Sequence, residues 1–149
     1  MQVVVASDHA GFELKSHLIK FLKSQGHTVK NLGTNSLKPV DYPDYAEKLG
    51  LEIVKDKKLR GILICGSGVG ASVAANKING VRAAICHDSY SAHQGVEHDN
   101  MNVLVLGSRV IGPMLAEDLV KNFLSATFRK NVTRYMRRLK KVMALEEKR

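Results

Sequence analysis

The residues best suited to chemistry in this sequence form a glycine-rich loop that begins with a cysteine. The loop reads Cys65-Gly66-Ser67-Gly68-Val69-Gly70, and it lies between an apolar run and a segment of helical character, residues 71–77. Glycines at alternate positions let main-chain N–H groups approach a ligand, and a helix N-terminus favours negative charge. The pattern therefore predicts a cradle for an oxyanion or a phosphate, with a thiol at its edge.

Polar residues also stand at the ends of three other segments. Ser7-Asp8-His9-Ala10-Gly11 follows the first apolar run, and Glu97-His98-Asp99-Asn100 precedes the last. A histidine grouped with carboxylate and amide side chains is a candidate for acid–base catalysis, which applies to His98. Asp41-Tyr42-Pro43-Asp44 follows the second apolar run, and it fits a helix N-cap with proline in the first turn as well as a site.

Short apolar runs predict five strands, at residues 3–6, 28–32, 61–65, 83–86 and 103–106. Apolar residues at helical spacing lie between them. The alternation predicts an α/β fold: a three-layer, Rossmann-like parallel five-stranded sheet in the flavodoxin-like order 2-1-3-4-5, with an extra C-terminal helix. The first and third strands are neighbours in that order, so Asp8 and His9 would face the Cys65 loop.

The two cysteines differ in their surroundings. A thiol that faces a histidine beside a helix N-terminus is activated, whereas a cysteine at the end of a buried strand is commonly an inert core residue. Both interpretations of Cys65 remain open on these grounds. Cys86 ends a strand with no such neighbours, so it is interpreted as a core residue.

The basic charge is concentrated at the C-terminus. The net charge is +9, and residues 121–149 hold ten Lys or Arg and two Glu, a balance of +8. The pattern of residues 129–149 predicts a basic helix with a line of apolar residues along one face. The predicted sheet and its helices leave this face uncovered, so we expect the helix to pack on a partner subunit. The same charges would suit nucleic acid, but an aromatic content of 5% provides few stacking platforms, and no nucleic-acid partner is expected.

Length and composition predict a single domain over residues 1–149. No apolar run reaches the roughly 18 residues of a membrane span, and no signal-peptide pattern is present, so no membrane partner is expected. Two cysteines fit free thiols in a reducing compartment, which makes the cytoplasm the expected location. The six histidines lack zinc spacing and no Walker lysine follows the glycine loop, so neither a metal nor a cofactor is expected.

A dinucleotide-binding domain is the alternative function that the motifs also fit. Residues 66–71 match the pattern G-x-G-x-x-G/A, and Asp88 follows downstream.

Several motifs of this sequence occur together in one known family. They are Ser-Asp-His-Ala-Gly (7–11), Asp-Tyr-Pro-Asp (41–44), Cys-Gly-Ser-Gly-Val-Gly (65–70), Ala-Asn-Lys (75–77), Gly-Val-Arg-Ala-Ala (80–84) and Asn-Val-Leu (102–104). From residue 2 to about residue 142, the sequence closely resembles the B-type ribose-5-phosphate isomerases, whose family includes allose-6-phosphate and galactose-6-phosphate isomerases.

The resemblance implies an activity and an assembly. The activity is the interconversion of ribose 5-phosphate and ribulose 5-phosphate through a cis-enediolate, in the non-oxidative branch of the pentose phosphate pathway and without a metal. A six-carbon sugar phosphate remains open as the substrate. The implied assembly is a homodimer, with a tetramer as the larger alternative, whose sites take residues from both subunits.

The resemblance also implies a role for each matching residue. Cys65 would move a proton between C1 and C2, Ser67 would help to move the hydroxyl proton, and His98 would open the furanose ring. The substrate would be bound by loop N–H groups (Gly66, Gly68, Val69 and Gly70), by further sugar contacts (Asp8, His9, Tyr42 and Asp99) and by phosphate-binding arginines (Arg109, Arg134 and Arg138). The sequence departs from the family pattern at Ser67, where threonine is common, at Asp99, where asparagine is usual, and at Tyr135, where histidine is usual.

Overall fold

Five parallel strands form the sheet of this protein. The computed structural model describes residues 1–148, with Arg149 outside the described residues. The strands are β1 (Gln2–Ser7), β2 (Thr28–Asn31), β3 (Arg60–Cys65), β4 (Ala83–Ile85) and β5 (Val103–Gly107). The helices are α1 (Phe12–Ser24), α2 (Tyr42–Ile53), α3 (Val69–Ala75), α4 (Ser89–Asp99), α5 (Pro113–Ser125) and α6 (Thr133–Glu146). The predicted α/β class, the five parallel strands and the extra C-terminal helix are confirmed.

Helices cover both faces of the sheet because its central strands are apolar on both sides. In β1, Val3 and Val5 pack into the core beneath α1, α4 and α5, whereas Val4 and Ala6 pack into the core beneath α2 and α3. The second core also contains Cys65. Both cores end at the carboxyl edge of the sheet, where the polar loops begin.

The strand order is β2-β1-β3-β5-β4, so the expected order 2-1-3-4-5 is wrong in its last two positions. All five residues of β5 are buried, whereas the three residues of β4 are partly exposed. A fully apolar strand is covered best between two neighbours, and a very short strand suits a sheet edge. The expected pairing of β1 with β3 is correct, and Ser7 lies opposite Ile64 at the carboxyl edge.

The basic C-terminal helix lies on its own chain. It begins at Thr133 rather than at residue 129, because the Val132 N–H donates to the Arg129 carbonyl and closes a turn. Tyr135 and Leu139 are its buried residues. Three further apolar residues of this helix, Val142, Met143 and Leu145, are about half exposed. Packing of this face on a partner subunit stays a prediction. Within residues 1–148, no helix combines the length and the apolarity that crossing a membrane requires.

Candidate active site

The glycine loop holds the Cys65 thiol and the Ser67 hydroxyl with its own amides. After β3 the chain turns into α3 at Gly68, whose φ of +85° is a left-handed conformation that favours glycine. The Gly68 N–H donates to Cys65 Sγ (3.2 Å), and the Val69 N–H donates to Ser67 Oγ (3.2 Å). Cys65 is 6% exposed, whereas Ser67 is open to solvent. The loop therefore presents a buried sulfur and an exposed hydroxyl within one turn of chain.

Two residues that the sequence did not single out, Ser108 and His87, bond to the chain around this loop. The Ser108 hydroxyl lies 2.8 Å from the Ala10 carbonyl oxygen and 3.2 Å from the Cys65 carbonyl oxygen, so it bridges the loops that follow β1 and β3. The Gly107 N–H donates to His87 Nε2 (3.0 Å). Both polar residues stand just beyond the carboxyl end of a strand, which is the signal that could have identified them.

Gly107 leaves no room for a side chain beneath the loop. A Cβ at this position would lie 2.6 Å from the Ser67 carbonyl oxygen. We expect Gly107→Ser to displace the loop, to lower the free energy of unfolding by about 1–3 kcal/mol and to reduce activity in protein that is still folded. Urea unfolding and steady-state kinetics measure the two effects.

The matched control for this change is Gly112→Ser. Nothing lies within 4 Å of a Cβ at Gly112, and serine suits the N-cap position that this residue occupies before α5. The control should therefore keep both its stability and its activity. If the two serine variants behave alike, Gly107 is not what holds the loop in position.

The end of β1 supplies a carboxylate and an imidazole on the side of the Cys65 loop. Asp8 is 7% exposed, and its Oδ1 accepts the Gly11 N–H (3.0 Å). The Val40 N–H donates to His9 Nδ1 (3.2 Å), which leaves Nε2 as the ring nitrogen available to a ligand. The strand pairing expected from the sequence therefore brings Asp8 and His9 to the same edge as Cys65.

Tyr42 and Arg109 flank the glycine loop at this same edge. A Cβ on Gly70 would lie 2.8 Å from the Tyr42 hydroxyl oxygen, so the tyrosine side chain rests directly on the loop. A Cβ on Gly66 would lie 3.5 Å from Arg109 Nη1, and the Arg109 N–H donates to the Gly66 carbonyl (3.0 Å). Tyr42 is also the first residue of α2. Asp41 occupies the N-cap position without a side-chain capping hydrogen bond, and Pro43 lies in the first turn, so the motif starts a helix and also stands beside the loop.

His98 belongs to a second group of residues, which is built on α4 and α6. Residues 97–99 form the last turn of α4. Gln94 Nε2 lies 2.8 Å from His98 Nδ1, and the Tyr135 hydroxyl lies 2.9 Å from His98 Nε2. The two rings stack with their centroids 4.1 Å apart, and Arg134 Nη2 donates to the Tyr135 hydroxyl (3.1 Å). Arg138 follows one helical turn later and is exposed, as is Asp99.

The two groups lie at opposite ends of the sheet within one chain. Cys65 is paired with Gly107 at the carboxyl end of β5, whereas His98 stands before Val103, the first residue of that strand. The length of β5 alone separates these ends by about 13 Å. The structure therefore brings together Asp8, His9, Tyr42, residues 65–70 and Arg109 at one edge, and it places His98, Asp99, Arg134 and Arg138 at the other.

Cys86, the second cysteine, is a core residue with a suppressed ionisation. It is 3% exposed, with its Sγ 4.0 Å from Met101 Sδ. Burial raises the pKa of the Cys86 thiol from 9.0 to about 11, and the negative charge of Asp88 adds to the shift. The sequence-based interpretation of Cys86 agrees with this environment.

The raised pKa of Cys86 predicts a loss of stability at alkaline pH. Between pH 9 and about pH 11 the unfolded chain releases this proton before the native protein does, so the native state is progressively destabilised. At pH 11 the loss is about 2 kcal/mol of unfolding free energy, and we expect it to be absent from Cys86→Ala. Urea unfolding of both proteins at neutral pH and at pH 11 measures it. A difference in unfolding free energy that does not change with pH would contradict this account.

A thiol, a glycine loop and polar strand ends at the carboxyl edge of a parallel sheet define an α/β protein with a site for a small anionic ligand. A family model described as ribose/galactose isomerase matches residues 3–142, and the chain belongs to this family. Within residues 1–148, no three His, Cys, Asp or Glu side chains lie close enough to share a metal ion.

Individual relatives agree with this assignment over nearly their full length. Ribose-5-phosphate isomerase B of Escherichia coli is 39% identical over 148 residues, which is 99% of this chain and 98% of the relative. The structure of ribose-5-phosphate isomerase B from Clostridium thermocellum is 44% identical with a TM-score of 0.93, and the match covers 99% of each chain. The enzyme from Mycoplasma genitalium, solved with bound ribulose-5-phosphate, is 37% identical with a TM-score of 0.93 and covers 99% of this chain and 97% of its own.

Proposed function

We propose that this protein interconverts ribose 5-phosphate and ribulose 5-phosphate, as an enzyme of the non-oxidative branch of the pentose phosphate pathway. The observation that carries the proposal is the buried Cys65 thiol, held by a glycine loop, in a chain similar along its length to a relative solved with ribulose-5-phosphate. Membership of a ribose/galactose isomerase family favours this activity over the dinucleotide-binding alternative. Because both cysteines are free thiols, we also propose the reducing cytoplasm as its location.

The proposed chemistry is a proton transfer next to a carbonyl group. Cys65, as thiolate, removes the proton from C2 of the open-chain aldose and returns it to C1, while Ser67 helps to move the hydroxyl proton between the two oxygens. The intermediate is an enediolate. Its negative oxygen is stabilised by the main-chain N–H groups of Gly66 and Gly70, joined by those of Gly68 and Val69 when these exchange Cys65 Sγ and Ser67 Oγ for the substrate. No electrons leave the substrate, so this reaction requires no cofactor.

The remaining proposed steps need residues from the opposite end of the sheet. His98 would open the furanose ring, with Asp99 beside the sugar, and Arg134 and Arg138 would bind the phosphate. Within one chain, these residues lie at the opposite end of the sheet from Cys65. We therefore propose that a second copy of the chain supplies them and that the enzyme is a homodimer. Exposed apolar residues on two helices support an interface: Val69 and Val73 in α3, and Val142 and Leu145 in α6.

Residues at the Cys65 edge would bind the rest of the sugar. Asp8 and Tyr42 stand beside the loop with polar atoms for sugar hydroxyls, and His9 offers Nε2. Arg109, next to Gly66, adds a positive charge from the same chain as the thiol. Arg109 would therefore join Arg134 and Arg138 around the phosphate.

Turnover of defined substrates by the purified full chain tests this function. Ribose 5-phosphate, allose 6-phosphate and galactose 6-phosphate are compared by the rate at which each forms its ketose. We expect the highest kcat/KM with ribose 5-phosphate. A higher value with a six-carbon substrate would reassign the substrate within the family, and no turnover of any of them would refute the proposal.

A further inference from the structure

A cavity lies at the amino-terminal edge of the sheet, away from the Cys65 loop. Its volume is about 410 Å³, and it lies between the end of α2, the first residue of β3 and helix α6. Its polar lining consists of four cations and two amides: Lys57, Arg60, Arg82, Lys130, Asn100 and Asn102. Among the described residues that line this cation-lined cavity, there is no aspartate or glutamate.

Two of the cations are partly buried and held in fixed orientations. Arg60 donates through Nη1 to the Met101 carbonyl (2.6 Å) and through Nη2 to the Ala126 carbonyl (3.5 Å). Arg82 donates through Nε to the Asn100 carbonyl (2.6 Å) and through Nη1 to the Gly80 carbonyl (3.1 Å). These acceptors are neutral main-chain groups, so they orient the guanidinium groups without neutralising them.

The charges of these arginines are only partly compensated within the chain. Burial lowers the pKa of Arg60, and the positive charge of Arg82 adds to the shift. Burial lowers the pKa of Arg82, and the negative charge of Glu146 offsets part of this shift. The Glu146 carboxylate accepts the Gly80 N–H (2.9 Å), however, and it lines a neighbouring cavity. An anion inside the cation-lined cavity would relieve the remaining repulsion between the two arginines.

We propose that the cation-lined cavity is a binding site for a small phosphorylated anion, separate from the proposed substrate site. The free N–H groups of Arg60 and Arg82 can donate to phosphate oxygens in charge-assisted hydrogen bonds. Lys57 and Lys130 are exposed at the rim, where their flexible ammonium groups can reach the same charge. The volume falls within the range of roughly 300–1,000 Å³ typical of small-molecule sites, so a phosphate carried by a small metabolite fits.

Calorimetric titration with pyrophosphate tests the site at constant ionic strength. The starting protein carries Arg134→Ala and Arg138→Ala, which removes two proposed substrate-phosphate contacts and leaves the cation-lined cavity intact. Lys57→Glu with Lys130→Glu is then added, because these exposed side chains line the cavity without holding the fold together. Lys20→Glu with Lys23→Glu, on the exposed face of α1, is the control that changes the net charge equally.

We expect pyrophosphate to bind the starting protein, and the cavity substitutions to raise its Kd at least tenfold. The control substitutions should change the Kd less than twofold. If the starting protein does not bind pyrophosphate, the anion has no site outside the substrate-binding residues and the proposal is wrong. Equal weakening by the two lysine pairs would show a general charge effect and would overturn it as well.

Discussion

Replacing Cys65 with alanine is expected to abolish isomerisation while the protein remains folded. The sulfur is the atom that the Gly68 N–H contacts at 3.2 Å, and alanine leaves no group there that can carry a proton. Loss of a general base lowers the rate by roughly 10²–10⁴-fold. Because the proton must be removed in every turnover, we expect the loss in kcat. Steady-state kinetics with ribose 5-phosphate measures it, with circular dichroism to verify the fold.

Cys86→Ala is the matched control for this experiment. It removes the other buried thiol, which packs against Met101 rather than at the glycine loop. The control should keep kcat within about threefold of the unmodified protein, since it lies outside the machinery of general-base catalysis. If Cys65→Ala also stays within that range, Cys65 is not the base.

Replacing Arg134 and Arg138 of α6 with alanine is the second change with a large expected effect. Arg134 and Arg138 are exposed and one helical turn apart, so they can reach the same phosphate. Hydrogen bonds to charged groups contribute about 1.5–3 kcal/mol each, so losing both should lower kcat/KM by about 10²–10⁴-fold. The phosphate does not change during the reaction, so most of this loss should appear as a higher KM.

Arg137→Ala with Lys141→Ala is the matched control on the same helix. Both residues are exposed, have the same spacing and carry the same total charge. This pair should leave KM within about twofold, because neither residue makes one of the charge-assisted contacts with the phosphate. Equal increases in KM for the two pairs would mean that α6 attracts the substrate through its net charge only.

Local pattern was sufficient to predict the strands and the first half of the site. Four strands contain a short apolar run near turn residues, and β2 begins with the β-branched pair Thr28-Val29, so the existence and approximate limits of each strand depend on neighbouring residues alone. The pairing of β1 with β3 then followed from the general behaviour of alternating α/β chains, and it placed Asp8 and His9 on the side of Cys65.

Features that depend on packing between distant elements could not be predicted in the same way. The positions of β4 and β5 are decided by which strand covers more apolar surface, and two short runs of similar composition differ little in this respect. The Ser108 hydroxyl joins three loops through Ala10 and Cys65, and hydrophobic periodicity gives no information on contacts between distant loops. The hydrogen bond between Tyr135 and His98 likewise depends on where α6 docks.

In the proposed homodimer, one active site takes Cys65 from one chain and Arg138 from the other. Mixing the two single variants tests this directly, with activity measured at a substrate concentration well below the KM of the Arg138→Ala chain, where each variant alone is nearly inactive. In a two-fold dimer of one Cys65→Ala chain and one Arg138→Ala chain, one site carries both defects and the other carries neither. After subunit exchange in equal amounts, half of the dimers are mixed and half of their sites are intact, so about a quarter of the original activity should return. No recovery, with exchange verified by mass-labelled chains, would show that both residues act within one chain.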